Sequence, residues 1–158
     1  MPIHHKSKIH HYNLQLTWTG NTGAGTSAYD AYQRDFVIET GGKEILSGSA
    51  DRAFLGNPSL YNPEEWLLAS LSSCHMLWFL HGCTDQGVIV TDYRDLPKGE
   101  MIEHRDGSGE FTQVTLYPKV ITDTEVEHTI LADLHHHAHQ KCFIARSVNF
   151  EVVVQPQF

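Results

Sequence analysis

The sequence predicts an α+β fold, in which antiparallel strands surround a long central helix and a second helix lies near the C-terminal end. Several segments alternate polar and apolar residues, which is typical of half-buried strands. One stretch of about six helical turns is apolar around most of its circumference, and a later stretch has apolar residues at helical spacing. With 158 residues and no shift in composition that marks a linker, the chain is predicted to form one domain over residues 1–158.

The N-terminal third predicts a small antiparallel meander. His11–Trp18 alternates with period two, and Ala31–Thr40 resumes a strand pattern after the glycine-rich stretch Gly20–Thr26. Ile45–Ala50 is predicted as a third short strand. The glycines have the spacing neither of a dinucleotide-binding fingerprint nor of a phosphate loop, so we interpret the stretch as a turn.

The central helix has a strong start signal. Asn62 is suited to cap it, Pro63 to occupy its first position, and Glu64 and Glu65 to face the positive end of its dipole. The helix is predicted to run until Gly87. A helix that is apolar nearly all round is enclosed by other structure.

The remaining segments predict more strands and the second helix. Thr124–Glu127 has the pattern of a capping box, and the helix that follows carries an apolar stripe that ends at Cys142. The stripe consists of Val126, Ile130, Leu131, Leu134, Ala138 and Cys142. Strands are predicted at Val88–Tyr93, Gly99–His104, Glu110–Val120 and Ser147–Val154.

Composition and charge narrow the class of protein. The formal net charge of -8 disfavours nucleic acid and anionic membranes as partners. The longest apolar segment, residues 66–80, is interrupted by serines, Cys74 and His75, which disfavours a membrane span. No signal-peptide pattern is present at the N-terminus, so we expect a cytoplasmic protein whose three cysteines are reduced at rest.

Two of the cysteines form the candidate site. Cys74 lies midway along the first helix and Cys142 on the buried face of the second, so the two thiols meet if the helices pack together. A peroxidatic thiol that becomes a sulfenic acid needs such a second thiol to condense with it. The ordinary alternative is that a helix-borne cysteine is a small core residue. Cys83, nine residues after Cys74 and on the opposite face, is interpreted as a packing residue.

These residues together resemble a known family. The stretch from Asn62 to Glu65 followed by Cys74 is similar to the N-P-E…C helix of the OsmC/Ohr peroxidases. Ala138–Cys142 is similar to that family's second-cysteine helix. Trp18-Thr19-Gly20, the glycine-rich hairpin and the pair Cys74-His75 extend the resemblance over nearly the whole chain.

The resemblance implies an intertwined homodimer that reduces organic hydroperoxides in the oxidative stress response, with no cofactor and no metal. Cys74 and Cys142 would form the catalytic disulfide, which a dithiol such as a lipoyl group reduces. Glu64 would be the site acid and Arg34 the site arginine, with Arg52 as second choice. Because ten residues of helix rise about 15 Å, Glu64 serves a thiol site only if a second chain or a bend brings it there.

This sequence departs from the family pattern in two places. Leu55 stands where similar proteins have an arginine, so the loop that contains it is not expected to supply the cation. Cys142 is followed by Phe143-Ile144, where better-known branches have a proline. The condensation of two sulfurs does not need that proline, so the resolving role of Cys142 is kept.

The histidines support a rival hypothesis. His135 and His139 lie one helical turn apart and, with Cys142, have the ligand types of a metal-binding module. A softer role is that His75 or His139, as an imidazolium, favours a thiolate. The pairs His4-His5 and His10-His11 are expected to be solvent-exposed. A third alternative is a non-catalytic OsmC-like protein that binds a small apolar ligand among Trp66, Trp78 and Phe79.

Overall fold

The computed structural model describes residues 7–158, which form two compact units that divide between Pro63 and Glu64. His10 and His11 are exposed, as predicted, whereas His4 and His5 lie outside the described residues. The predicted α+β class is confirmed, with two α-helices and mostly antiparallel sheets.

The first unit contains one small antiparallel sheet. Its strands are β1 (Gln15–Trp18), β2 (Phe36–Glu39) and β3 (Leu46–Gly48), in that order, so each strand is shorter than predicted. Leu16 lies opposite Ile38, and Ile38 lies opposite Leu46, so the three side chains share one face. Leu16 is 57% exposed and Leu46 54%, and all of β1 is exposed. The expected half-burial of this strand is therefore not found within one chain.

The second unit contains both α-helices and two sheets. The long helix α1 spans Pro63–Asp85, close to its predicted range, and α2 spans His128–Lys141. One sheet pairs β4 (Val90–Arg94) with β7 (Lys119–Thr122); the other has the order β5 (Lys98–Glu103), β6 (Gly109–Leu116) and β8 (Glu151–Val154). β8 runs parallel to β6, the one parallel strand pairing among the described elements.

The prediction of a single strand at Glu110–Val120 is wrong, because this segment forms two strands that belong to different sheets. β6 ends at Leu116 and β7 begins at Lys119. Pro118 between them has no N–H to donate to a ladder, and the Tyr117 N–H donates instead to Asp95 Oδ1 at 2.7 Å. The chain therefore changes sheets at Tyr117-Pro118.

The capping box predicted at Thr124–Glu127 is also wrong. The α2 helix begins at His128, and its N-cap residue Glu127 makes no side-chain cap bond. The Thr124 hydroxyl donates a hydrogen bond to Asp123 Oδ1 at 3.3 Å instead of accepting one from a helix N–H. Val126 consequently lies outside the helix and packs beside the core, while Ile130 is 45% exposed.

Two apolar clusters form the core of the second unit. One joins Phe79 and Cys83 of α1 to Leu131, Leu134 and Ala138 of α2. The other joins Leu71 of α1 to β6 residues. The fully buried positions of α1 follow one another every four residues, whereas Leu77 is 62% exposed. The predicted enclosure of α1 on all sides is thus incomplete within one chain. Neither helix of the described part has the length and apolarity that a bilayer crossing requires.

A pair of histidines occupies this core. His75 of α1 is 0% exposed and His135 of α2 is 2% exposed. His75 Nε2 and His135 Nδ1 are 3.0 Å apart, so one ring donates an N–H and the other accepts it. The rings are nearly parallel, and Phe79 stacks on His135 with centroids 3.9 Å apart.

Burial keeps both imidazoles neutral. Burial, and secondarily the charge of His139, lowers the pKa of His75 to about 4. Burial, and secondarily His75, lowers the pKa of His135 to about 3. Because the unfolded chain binds these protons near pH 6.5, the pair stabilises the fold fully above that pH and progressively less as pH falls toward 4.

We expect the free energy of unfolding to fall by about 1.5 kcal/mol per histidine between pH 6.5 and pH 5. Urea titrations at the two pH values measure this. The double variant His75→Gln, His135→Asn, which has no imidazole at either position, should lose most of the pH dependence. His137→Gln, at an exposed position of α2, should retain it. An unchanged slope in the double variant would show that other groups cause the effect.

Candidate active site

The structure brings Cys74 and Cys142 together. Cys74 lies in α1 and is partly exposed, whereas Cys142 is the C-cap residue of α2 and is 1% exposed. Both are free thiols. The two side chains interact, and the Cys74 thiol is one of the groups that raise the pKa of the Cys142 thiol. The two thiols are therefore close enough to interact, as a two-cysteine site requires.

The Cys142 thiol is held in its neutral form. Burial, the largest cause, raises the pKa of Cys142 to about 11, and Cys74 adds to the rise. The Ala145 N–H approaches the Cys142 sulfur at 3.4 Å and opposes the rise in part. The partly exposed Cys74 is thus the sulfur that an incoming molecule reaches first, and Cys142 lies behind it.

Cys83 is a packing residue, in agreement with the prediction. It is 1% exposed within the apolar cluster between α1 and α2. Burial raises the pKa of Cys83 to about 11. Its neighbours in that cluster are apolar side chains, so the Cys83 thiol acts in packing.

Residues later in α1 contact residues earlier in α2. Cys74 of α1 interacts with Cys142 at the end of α2, and His75 then bonds to His135. Further along α1, a Cβ added at Gly82 would meet Leu134 at 3.3 Å. Along α1, the histidine pair therefore comes directly after the thiols and before the Gly82–Leu134 contact.

The His75–His135 bond was not predicted, although the sequence contains a signal for it. His75 lies at four-residue spacing between Leu71 and Phe79, and His135 follows Leu131 by the same spacing. Both positions therefore belong to buried helix faces. Burial lowers the pKa of both His75 and His139, which disfavours the expected role of either ring as an imidazolium that favours a thiolate.

An acidic side chain that sequence reasoning missed anchors α1 just before Cys74. The Ser72 hydroxyl donates to Asp95 Oδ2 at 2.5 Å, and the other Asp95 oxygen accepts the Tyr117 N–H. Burial, and secondarily the charge of Asp95, raises the pKa of Tyr93. This network connects α1 to the turn between the two sheets.

Glu64 lies in the first turn of α1, ten residues before Cys74. Its Oε2 atom is buried and has no hydrogen-bond partner among the described residues. A buried carboxylate oxygen without a partner is costly, by roughly 1–3 kcal/mol or more. The structure of one chain does not bring Glu64 to Cys74 along the helix, as its rise of about 15 Å implies.

Arg34 belongs to the first unit, in the segment that precedes β2. Its guanidinium lies over the rings of Tyr32 and Tyr29, 4.2 and 4.5 Å from their centroids. It donates to the carbonyl oxygens of the same two tyrosines. These contacts with Tyr29 and Tyr32 hold the Arg34 guanidinium in one orientation.

Arg52 begins a short 3-10 turn, Arg52–Phe54, which Leu55 ends with a positive φ of 61°.

The three-ligand metal module is not formed. Across residues 7–158, no group of three or more histidine, cysteine or acidic side chains has the arrangement of a metal site. One ring nitrogen of His135 is hydrogen-bonded to His75, and Cys142 interacts with Cys74. Within residues 7–158, His135, His139 and Cys142 therefore do not form the three-ligand set that the sequence suggested.

Comparison with known proteins gives the family. The model of the OsmC-like protein family matches residues 56–157. An OsmC-like protein of unknown function from Vibrio cholerae is 30% identical, with a TM-score of 0.85, and the match covers 94% of this chain and 100% of that one. No curated protein sequence matches significantly.

More distant solved structures share the fold. An organic hydroperoxide resistance protein from Elizabethkingia anophelis is 18% identical with a TM-score of 0.69, and the match covers 94% of this chain and 97% of that one. The organic hydroperoxide resistance protein OhrB of Bacillus subtilis is 16% identical with a TM-score of 0.64, covering 92% and 98%. Together with the family-model match over most of the second unit, these findings show that the chain belongs to the OsmC-like protein family.

Proposed function

We propose that this protein is a two-cysteine thiol peroxidase of peroxiredoxin-type activity that reduces organic hydroperoxides. The observation that carries the proposal is the pair of neighbouring free thiols, one partly exposed and one buried with a raised pKa. The asymmetry suits a cycle in which one sulfur meets the peroxide and the other meets only the first sulfur.

The reaction balances without a cofactor. The Cys74 thiolate attacks the outer oxygen of the hydroperoxide, so the O–O bond breaks and Cys74 becomes a sulfenic acid. The alkoxide takes up a proton and leaves as an alcohol. The Cys142 sulfur then attacks the Cys74 sulfur, which forms the disulfide and releases water. A dithiol reductant, such as a lipoyl group, restores both thiols by exchange.

An apolar surface beside the thiols supports an organic substrate. Phe143, the residue after Cys142, is 64% exposed and meets Trp78 of α1 edge to face at 5.4 Å. An alkyl or aryl group packs favourably on such aromatic side chains. The names of the E. anophelis and B. subtilis proteins, which share the fold, are consistent with this substrate class.

A second copy of the chain would complete the site, and we propose an intertwined homodimer in which both units of each chain form one OsmC-like domain. The partnerless Glu64 oxygen and the exposed apolar residues Leu16, Leu46 and Leu77 are the features that a second copy would satisfy. In such a dimer, Glu64 and Arg34 would flank the Cys74 of a site at the interface, with Arg52 as the second candidate cation. A cation there would stabilise the thiolate and orient the peroxide oxygens.

The site residues make a direct prediction. With cumene hydroperoxide and dihydrolipoamide, Cys74→Ser should lose turnover by at least about a hundredfold, because the attacking sulfur is gone. Cys142→Ser should reduce about one equivalent of peroxide and leave a sulfenic acid that dimedone traps, because the condensing sulfur is missing.

The matched control for these variants is Cys83→Ala, which removes the packing thiol and should retain turnover. Full activity in Cys74→Ser would overturn the peroxidase assignment. Absence of peroxide consumption in the wild-type protein, with every dithiol tested, would favour a non-catalytic OsmC-like protein instead.

The dimeric site makes a second prediction. Sedimentation should give twice the chain mass of 17.9 kDa. If Glu64 of one chain serves Cys74 of the other, Cys74→Ser and Glu64→Gln proteins that are each nearly inactive should regain activity after mixing and subunit exchange. Each mixed dimer then contains one site with both native residues. Continued inactivity of verified mixed dimers would place the two residues in the same chain's site.

A further inference from the structure

We propose that the hydrogen bond between His75 and His135 is a positioning device that holds Cys142 within reach of Cys74 and so favours closure of their disulfide. The inference deepens the proposed function, because a two-cysteine cycle requires the two sulfurs to meet. It assigns the two histidines a role in positioning and none in the chemistry itself.

The bond connects the two helices that carry the thiols. His75 directly follows Cys74 in α1, and His135 lies two turns before Cys142 in α2. His75 Nε2 and His135 Nδ1 are 3.0 Å apart, and the ring planes differ by only 7°. The bond is therefore the polar contact between α1 and α2 that lies nearest the thiol pair along α1.

A hydrogen bond restricts the relative position of two helices more narrowly than an apolar contact does. The cluster of Phe79, Cys83, Leu131, Leu134 and Ala138 attracts the helices to one another through a non-directional effect, which restricts their register less than a hydrogen bond does. A buried hydrogen bond is directional, and sliding or rotating α2 would leave two buried nitrogens without partners. Phe79, stacked on the face of His135 with centroids 3.9 Å apart, further limits rotation of that ring.

The thiols need this control because disulfide geometry is narrow. The Cα atoms of a disulfide are about 4.4–6.8 Å apart, so a shift of one helix by a fraction of a turn prevents closure. Cys142 is the C-cap residue of α2, and its N–H bond to the His139 carbonyl is long, at 3.3 Å. Contacts at earlier turns of α2, such as the His75–His135 bond, therefore contribute to the position of Cys142.

The neutral state of the pair suits this role. One imidazole donates its N–H and the other accepts it, which requires no counter-ion in the core. The remaining nitrogens, His75 Nδ1 and His135 Nε2, have no partner among residues 7–158. The interhelical bond is thus the only described hydrogen bond of both rings.

The test uses amides that imitate one imidazole nitrogen each. A glutamine amide nitrogen lies near the position of Nε2, and an asparagine amide group near that of Nδ1. His75→Gln and His135→Asn should therefore keep the interhelical bond, whereas His75→Asn and His135→Gln should lose it. The members of each pair differ by one methylene group and have the same polarity.

The readout is the equilibrium between dithiol and Cys74–Cys142 disulfide in glutathione buffers, in full-length protein with the Cys83→Ala change. Two glutathione thiols form as one glutathione disulfide is consumed, so electrons balance. Alkylation and mass spectrometry measure the oxidised fraction. His75→Asn and His135→Gln should lower the disulfide equilibrium constant by about tenfold, while the bond-keeping variants stay within about threefold of the parent protein.

Leu134→Ala, which weakens the apolar contact between the same helices, is the control for stability alone and should leave the constant within about threefold. Equal constants in all four amide variants would overturn the proposal, as would a loss in Leu134→Ala equal to that in His135→Gln. No peroxide is used, so the result is separate from the peroxidase assay. Loss of closure in an inactive protein would still support the positioning role.

Discussion

The packing of α2 against α1 determines where each group of the candidate site lies in the second unit. Without it, the two cysteines are 68 residues apart in sequence and have no reason to meet. The apolar cluster provides most of the driving force, since burial of apolar surface is the largest favourable contribution to folding. The histidine bond adds direction to that attraction. The apolar residues thus provide most of the strength of this interface, and the histidine pair adds a directional contact.

The proposed roles of the two sulfurs follow from how far each side chain is buried. A partly exposed thiol in mid-helix meets molecules from outside, whereas a thiol buried at a helix end meets only its neighbour. Burial also raises the pKa of Cys142 and Cys83 alike, to about 11. What distinguishes these two is contact: Cys142 has a second sulfur beside it, and Cys83 has leucines and a phenylalanine.

Much of this arrangement follows from the sequence, and the differences have local causes. The start signal at Asn62-Pro63 placed α1 closely, because a cap residue and a proline act through near neighbours. The break at Pro118 and the late start of α2 are accompanied by side-chain hydrogen bonds to Asp95 and Asp123, which a periodic pattern of apolar residues does not show. His75 and His135 each occupy a buried helix face that four-residue spacing indicates. Their bond depended on the relative register of two helices, which sequence spacing within either helix does not specify.

The position of Cys142 at the very end of α2 has a consequence for the mobility of the protein through a redox cycle. The last carbonyls of a helix have no partners within it, so its final turn deforms at little cost to the turns before it. A short 3-10 turn, Ala145–Ser147, follows and leads the chain into β8. In the proposed cycle, the small displacement that joins and parts the two sulfurs would therefore fall between residues 139 and 147, while the His75–His135 bond holds the earlier turns of α2 in place. Repeated oxidation and reduction would flex this hinge of the backbone and leave the interior of the fold at rest.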